Sequence, residues 1–238
     1  MSSKFKELFD ELSRTNDRSI IWNNWLDYCI NINLMQTKSR EKYNFHGNEE
    51  TYFEMFSEWI NEMNTELQKQ PYYDLIGYLY EDNVQSKGKQ KNLQQYYTPQ
   101  NVTEVISELV MHKKAEEYKG GWANDPCCGS GRILLASHYN SKGELFCCGQ
   151  DLDETSCKMT VLNFYSHGVR GSVLHMNALE GTFYKGWRVN RWLLHGIPLP
   201  HIEEINTINE AYNFIGVNPN INENKLDKTT TDGQTTLI

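Results

Sequence analysis

The sequence predicts a mixed α/β chain, a helical N-terminal region leading into a parallel, doubly wound sheet. Three observations carry this expectation. Up to residue 82 the apolar residues recur at helical spacing, without strand-like alternation. From residue 120 onward, short apolar runs alternate with helical patterns. Between the first run and the helix after it stands a small-residue turn, Asp125-Pro126-Cys127-Cys128-Gly129-Ser130-Gly131-Arg132.

Taken in order, Phe5, Leu8, Phe9 and Leu12 fall on one helix face, and Ile21, Trp22, Trp25, Leu26, Cys29 and Ile32 form a second stripe. Tyr52, Phe53, Phe56, Trp59, Ile60, Met63 and Leu67 form a third. Pro71 stops that pattern and opens a short helix carrying Leu75, Ile76 and Leu79. Helical residues 1–82 thus make an annex expected to pack on the later part of the chain. Residues 83–95 are polar, with Lys87, Lys89 and Lys91 and no acid, and read as a linker. Thr98 is the expected N-cap, and Pro99 the first residue, of a helix whose apolar face is Val102, Val105, Ile106, Leu109 and Val110. Expected strands are 121–124, 145–149, 172–175 and 214–217, with helices at 132–139 and 155–166, the latter closed by Gly168. Such alternation implies right-handed crossovers, and ligands then bind at the carboxyl ends of the strands.

Bulk properties narrow the function. A net charge of −8 excludes a protein that coats nucleic acid over its whole surface, though not one with a local basic face. Six Trp and fourteen Tyr suit a core of large rings and base-stacking surfaces alike. No stretch has the length and apolarity of a membrane span, and the first residues lack a signal-peptide core, so a cytoplasmic protein without membrane contact is expected. Cys29, Cys157 and the adjacent pairs Cys127-Cys128 and Cys147-Cys148 fit buried thiols better than zinc ligands or a disulfide framework, and no metal is expected.

The turn at 125–131 reads as a cofactor seat. Gly129 and Gly131 allow a sharp bend and leave no Cβ toward a ligand, while amides at the next helix start offer donors. The second strand ends in Gly149-Gln150-Asp151-Leu152-Asp153, where nucleotide-binding sheets put an acid for ribose hydroxyls; Asp151 is the candidate, and Asp153 suits a helix cap. Asn177, ending the third strand, has the polar side chain to reach an adenine edge. The fourth ends in Asn218-Pro219-Asn220-Ile221. A rigidly held Asn218 carbonyl can accept a hydrogen bond from an attacking amine, and the same residues also fit a plain Asn-Pro turn.

Over roughly residues 72–221 these pieces resemble the N-6 adenine DNA methylase family, which includes the methylation subunits of type I restriction-modification systems and shorter relatives. Asp74-Leu75-Ile76-Gly77-Tyr78-Leu79-Tyr80 looks like the stretch before the family's cofactor domain. Tyr96-Tyr97-Thr98-Pro99 looks like its Phe/Tyr-Tyr-Thr-Pro motif, and Asp125-Pro126-Cys127-Cys128-Gly129-Ser130-Gly131 like its Asp-Pro-x-x-Gly-Ser/Thr-Gly motif. The resemblance implies a Rossmann-like S-adenosylmethionine-dependent methyltransferase sheet spanning 96–221. It implies S-adenosylmethionine bound by Tyr97, Thr98, Pro99, Asp125, Pro126, Cys127, Gly129, Ser130, Gly131, Asp151 and Asn177, with catalysis at Asn218 and Pro219. Transfer would be direct displacement onto a flipped base.

Departures matter. The family's catalytic motif continues Pro-Phe/Tyr, whereas Asn220 and Ile221 stand here and supply no stacking ring. Asn177 replaces a usual acid. A full methylase would continue through further strands and a target-recognition region; here a polar stretch, 222–238, reads as disordered, and some strand positions are expected to be empty or filled differently. Residues 183–192 interleave Lys185, Arg188 and Arg191 with four rings, Trp187 among them, and read as a loop for bases and phosphates. The leading expectation is a DNA adenine N-6 methyltransferase-like protein with DNA, and a specificity or other protein subunit, as partners. The alternatives are a catalytically silent module that docks on DNA or protein, and a methylase acting on protein or RNA.

Overall fold

The computed structural model describes residues 3–35, 45, 47–84, 98–111, 115–193 and 199–212. The annex comprises α1 (Ser3–Leu12), α2 (Arg18–Ile32), α3 (Glu49–Leu67) and α4 (Leu75–Asn83). Its stripes pack as their spacing predicts. Trp22, Trp25, Trp59, Phe5 and Phe9 are fully buried, with Trp25 at 5.1 Å from both Phe5 and Trp22, centroid to centroid. Asp17 caps α2 by accepting the Ser19 amide. The short helix begins at Leu75, capped by Asp74, rather than at Pro71.

Next come α5 (Gln100–Val110), β1 (Trp122–Asp125), α6 (Arg132–Asn140), β2 (Phe146–Asp151), α7 (Glu154–His167) and β3 (Gly171–Asn177). The chain continues through β4 (Thr182–Val189), β5 (Ile202–Ile205) and α8 (Ile208–Tyr212). Among the described residues, one five-stranded sheet has the order β1-β2-β3-β4-β5. The first three strands are mutually parallel, and β4 and β5 continue antiparallel. The expected 121–124, 145–149 and 172–175 strands are all present; the expected strand at 214–217 lies outside the described residues.

Residues 183–192 are the main correction. They are no loop: most of them form β4, which pairs with β3 from Val189 opposite Gly171 to Thr182 opposite Asn177. Another difference is in α5, which starts one residue late with Pro99 at the N-cap and no side-chain cap. Its expected apolar face points outward, Leu109 being 75% exposed, while Thr103 and Ser107 are buried. Asn140 of α6 donates to the Ser107 hydroxyl at 2.7 Å, so this helix is seated by its small polar side.

The sheet faces alternate with period two. Cys147 and Val173 join the main core, whereas Cys148, Leu174 and Met176 join Ile205 in a second cluster. That main core runs unbroken from Phe5 through α7 to Ile202. Polar links cross the same boundary, Lys158 to Asp27 at 2.9 Å and Tyr165 to Asn33 at 2.7 Å. Leu34 also bridges to Ile202. Among the described residues, no helix is long and apolar enough to cross a membrane.

Candidate functional site

β1 and β2 are neighbours in parallel register, Asp125 opposite Gly149, so their carboxyl ends deliver Asp125 and Asp151 to one rim of the sheet. The turn between β1 and α6 lies between them. Asp125 accepts the Cys127 amide at 3.1 Å, and Asp151 accepts the Gly129 amide at 2.9 Å. The Cys128 amide bonds Gln150 O, and the Gly131 amide bonds Cys128 O, each at 2.8 Å. Four amides of the turn, those of Cys127, Cys128, Gly129 and Gly131, are therefore engaged within the chain. What they supply is a rigid path for the turn.

Glycine is required here by packing as well as by any ligand. Gly129 and Gly131 both adopt positive φ, +56° and +85°. A Cβ on Gly131 would lie 2.9 Å from Thr160 Cγ2 on α7. Thr160 meanwhile donates its hydroxyl to Gly129 O at 2.8 Å. Pro126 and Cys127 are exposed at the rim, and Ser130 is buried behind it.

Burial raises the Asp125 carboxyl above its ordinary range, and Asp151 adds to the shift. Burial raises Asp151 too, against the hydrogen bonds it accepts from the Asp153 and Gly129 amides. Each Asp151 oxygen takes one of those bonds, and the Leu152 amide adds a third, so the carboxylate still keeps acceptor capacity for a hydroxyl. Leu152, the next residue, is 62% exposed. It offers an apolar surface beside that acid which periodicity did not single out. Asp153 caps α7, accepting from the Ser156 amide and hydroxyl.

Thr98 lies against the site through its carbonyl, which accepts from Arg132 at 2.6 Å. Pro99 is exposed beside it. Asn177 ends β3, as expected, but its side-chain oxygen accepts the Leu179 and Glu180 amides and so closes its own turn. Tyr97, Asn218 and Pro219 lie outside the described residues.

The basic-aromatic residues are positioned differently from the loop expected for them. Trp187 is 0% exposed and closed to a base. Lys185 pairs with Glu204 at 3.6 Å, and Arg188 with Glu203 at 3.1 Å. Arg191 stands 3.8 Å from the same Glu203. The acids of β5 thus take up the charge that sequence spacing assigned to phosphates. All six cysteines are free thiols, and among the described residues no group of three or more His, Cys, Asp or Glu is placed to hold a metal.

The set at the rim is acidic and rich in acceptors. It suits a ligand carrying positive charge and hydroxyl donors, and it opposes a polyphosphate, which needs a lysine and open amides at such a turn.

Comparison with known proteins identifies a family. The family model described as N-6 DNA Methylase matches residues 72–229. The type I restriction enzyme MjaVII methylase subunit of Methanocaldococcus jannaschii is 33% identical over 102 residues, covering 41% of this chain and 17% of that protein. The chain therefore matches only a minor part of that relative's length. No solved structure matches. With the family's pattern running through β1, the glycine turn and the sheet after it, the chain belongs to the N-6 DNA methylase family.

Proposed function

We propose that the turn at 125–131 binds S-adenosylmethionine and that the chain acts as an adenine N-6 DNA methyltransferase, or as part of one, in a cytoplasmic restriction-modification or mobile-element setting. The observation that carries this reading is the pair of half-buried carboxylates, Asp125 and Asp151, at the ends of neighbouring strands on either side of the glycine turn. When bound, the cofactor supplies an electrophilic methyl group on a sulfonium. Asp151 would accept from one of its ribose hydroxyls, Leu152 would lie along its base, and Asp125 would balance its positive charge. Thr98 and Pro99 would wall the other side, and Tyr97 keeps its proposed cofactor-binding role on sequence grounds. Asn218 and Pro219 keep their proposed role on sequence grounds, the Asn218 carbonyl accepting from the target amine so that its nitrogen stays electron-rich as it attacks. The DNA substrate, and a specificity subunit as partner, follow by analogy with the type I methylase subunit that part of the chain matches.

Asn220 and Ile221 favour one second reading, a family member that binds without methylating, because no ring follows Pro219 to stack on a flipped base. Calorimetric titration with S-adenosylmethionine and its demethylated product tests the seat, and labelled methyl transfer to DNA tests the activity. Micromolar binding is the expected result. Affinity should weaken as the pH falls, and at a higher pH than ordinary carboxylates would require, because the raised carboxyls of Asp125 and Asp151 then take up protons and lose the charge that attracts a cation. Absence of binding to either compound removes the cofactor assignment; binding without transfer selects the second reading.

A further inference from the structure

Asp74 belongs to the annex, yet it is wired into the turn. It is 0% exposed and caps α4, accepting the Gly77 amide at 2.9 Å. Three more donors reach it from the sheet half of the molecule. Asn163 of α7 donates to Oδ1 at 2.7 Å, Arg132 Nε donates to Oδ2 at 2.8 Å, and the Ser130 hydroxyl donates to Oδ2 as well. Four donors thus meet the four lone-pair sites of one carboxylate. Ser130 and Arg132 flank Gly131, so the turn is gripped on both sides of its bend.

Arg132 extends the grip. Its side chain is 4% exposed, and its remaining nitrogens reach Thr98 O at 2.6 Å and Glu81 Oε1 at 3.3 Å. The guanidinium also lies 4.4 Å from the Tyr78 ring centre. A buried ion pair is a weak source of stability, since desolvation opposes its attraction; its usual return is a defined arrangement. This one joins three pieces of chain far apart in sequence, 74–81, residue 98 and 130–132.

We infer that Asp74 is a positioning residue for the cofactor seat: through Ser130 it sets the path of the glycine turn, and through Arg132 it holds the Thr98 segment against that turn. The inference rests on the reading of 125–131 as the S-adenosylmethionine seat. Gly77 gives an independent handle, because a Cβ there would meet Asp74 Oδ2 at 2.2 Å. Gly77→Ala therefore displaces the carboxylate without changing its chemistry.

The experiment compares the full chain with Asp74→Asn, Gly77→Ala and the milder Ser130→Ala, using Asp27→Asn at the α2–α7 contact as a control for general loss of stability. Hydrogen exchange is followed in peptides covering 98–104, 126–133 and 18–32, and S-adenosylmethionine affinity is measured by calorimetry. Expected is a loss of protection at 98–104 and 126–133 about tenfold or more beyond any change at 18–32, with a parallel fall in affinity. Asp27→Asn should produce neither local effect. Protection lost evenly along the chain, or a turn that keeps its protection in all three variants, overturns the inference. So does unchanged affinity in all three. If the unmodified chain binds no S-adenosylmethionine, the cofactor reading fails by itself, and the exchange pattern still decides whether Asp74 holds the turn.

Discussion

Gly131 carries two demands at one position. Its φ of +85° lies where an L side chain costs roughly 1–2 kcal/mol, and its missing Cβ leaves room for Thr160 Cγ2. Gly131→Ala is therefore expected to destabilise the chain by about 2–3 kcal/mol, the strain and the steric overlap acting together. Thr160→Ser removes the methyl and keeps the hydroxyl that donates to Gly129 O. In the Thr160→Ser background the same glycine substitution should cost about 1 kcal/mol less. Urea unfolding of the two single variants and the double variant measures this coupling. A zero coupling would mean that the backbone conformation alone requires glycine, and that α7 does not shape the turn.

At the scale of elements, the antiparallel pair β4–β5 changes what the cations can do. Lys185 and Arg188 face Glu204 and Glu203 across the strand pair, so their charge is largely neutralised within the chain. Joint replacement of Lys185 and Arg188 by Ala should leave the salt dependence of DNA binding unchanged. Phosphate contacts by both would instead lower its slope by about 2. Binding titrations at several salt concentrations decide, and a lowered slope would mean that the pairs open on DNA. The strand was legible in principle. Thr182, Phe183, Tyr184, Trp187 and Val189 are strong strand formers, and Gly181 turns the chain before them with φ +70°. Interleaved cations and rings masked that signal by matching a nucleic-acid loop equally well. β5, only four residues long with two central acids, gave periodicity too little to work on. By contrast β1, β2, α6 and α7 were legible, because glycines and caps mark their ends and their apolar runs are continuous. Asp125 and Asp151 could be placed at one rim by strand order alone. Asp74 could not be read as their support, since its partners in the sheet half are 56 to 89 residues away in sequence.

At the scale of the molecule, annex and sheet are one energetic unit. The sequence separates residues 1–82 from the sheet by a polar linker, and composition marks such a break clearly. It carries no information about side chains that meet across the break. The same core cluster includes Trp22 and Trp59 of the annex, Phe164 of α7 and Trp187 of β4. Lys158–Asp27, Tyr165–Asn33, the Leu34–Ile202 bridge and the Asp74 network then tie the annex to α7, the far strand and the glycine turn. Neither half can open without exposing large rings of the other, at about 25 cal/mol for each Å² of apolar surface. A single cooperative transition is therefore expected. Urea unfolding followed by tryptophan fluorescence, which reports Trp22, Trp25 and Trp59 as well as Trp187, should coincide with unfolding followed by far-ultraviolet circular dichroism, with the calorimetric and van't Hoff enthalpies equal. Two resolved transitions would show the annex folding by itself. The support that Asp74 lends the turn would then depend on a docking equilibrium, and S-adenosylmethionine affinity would fall in step with the first of them.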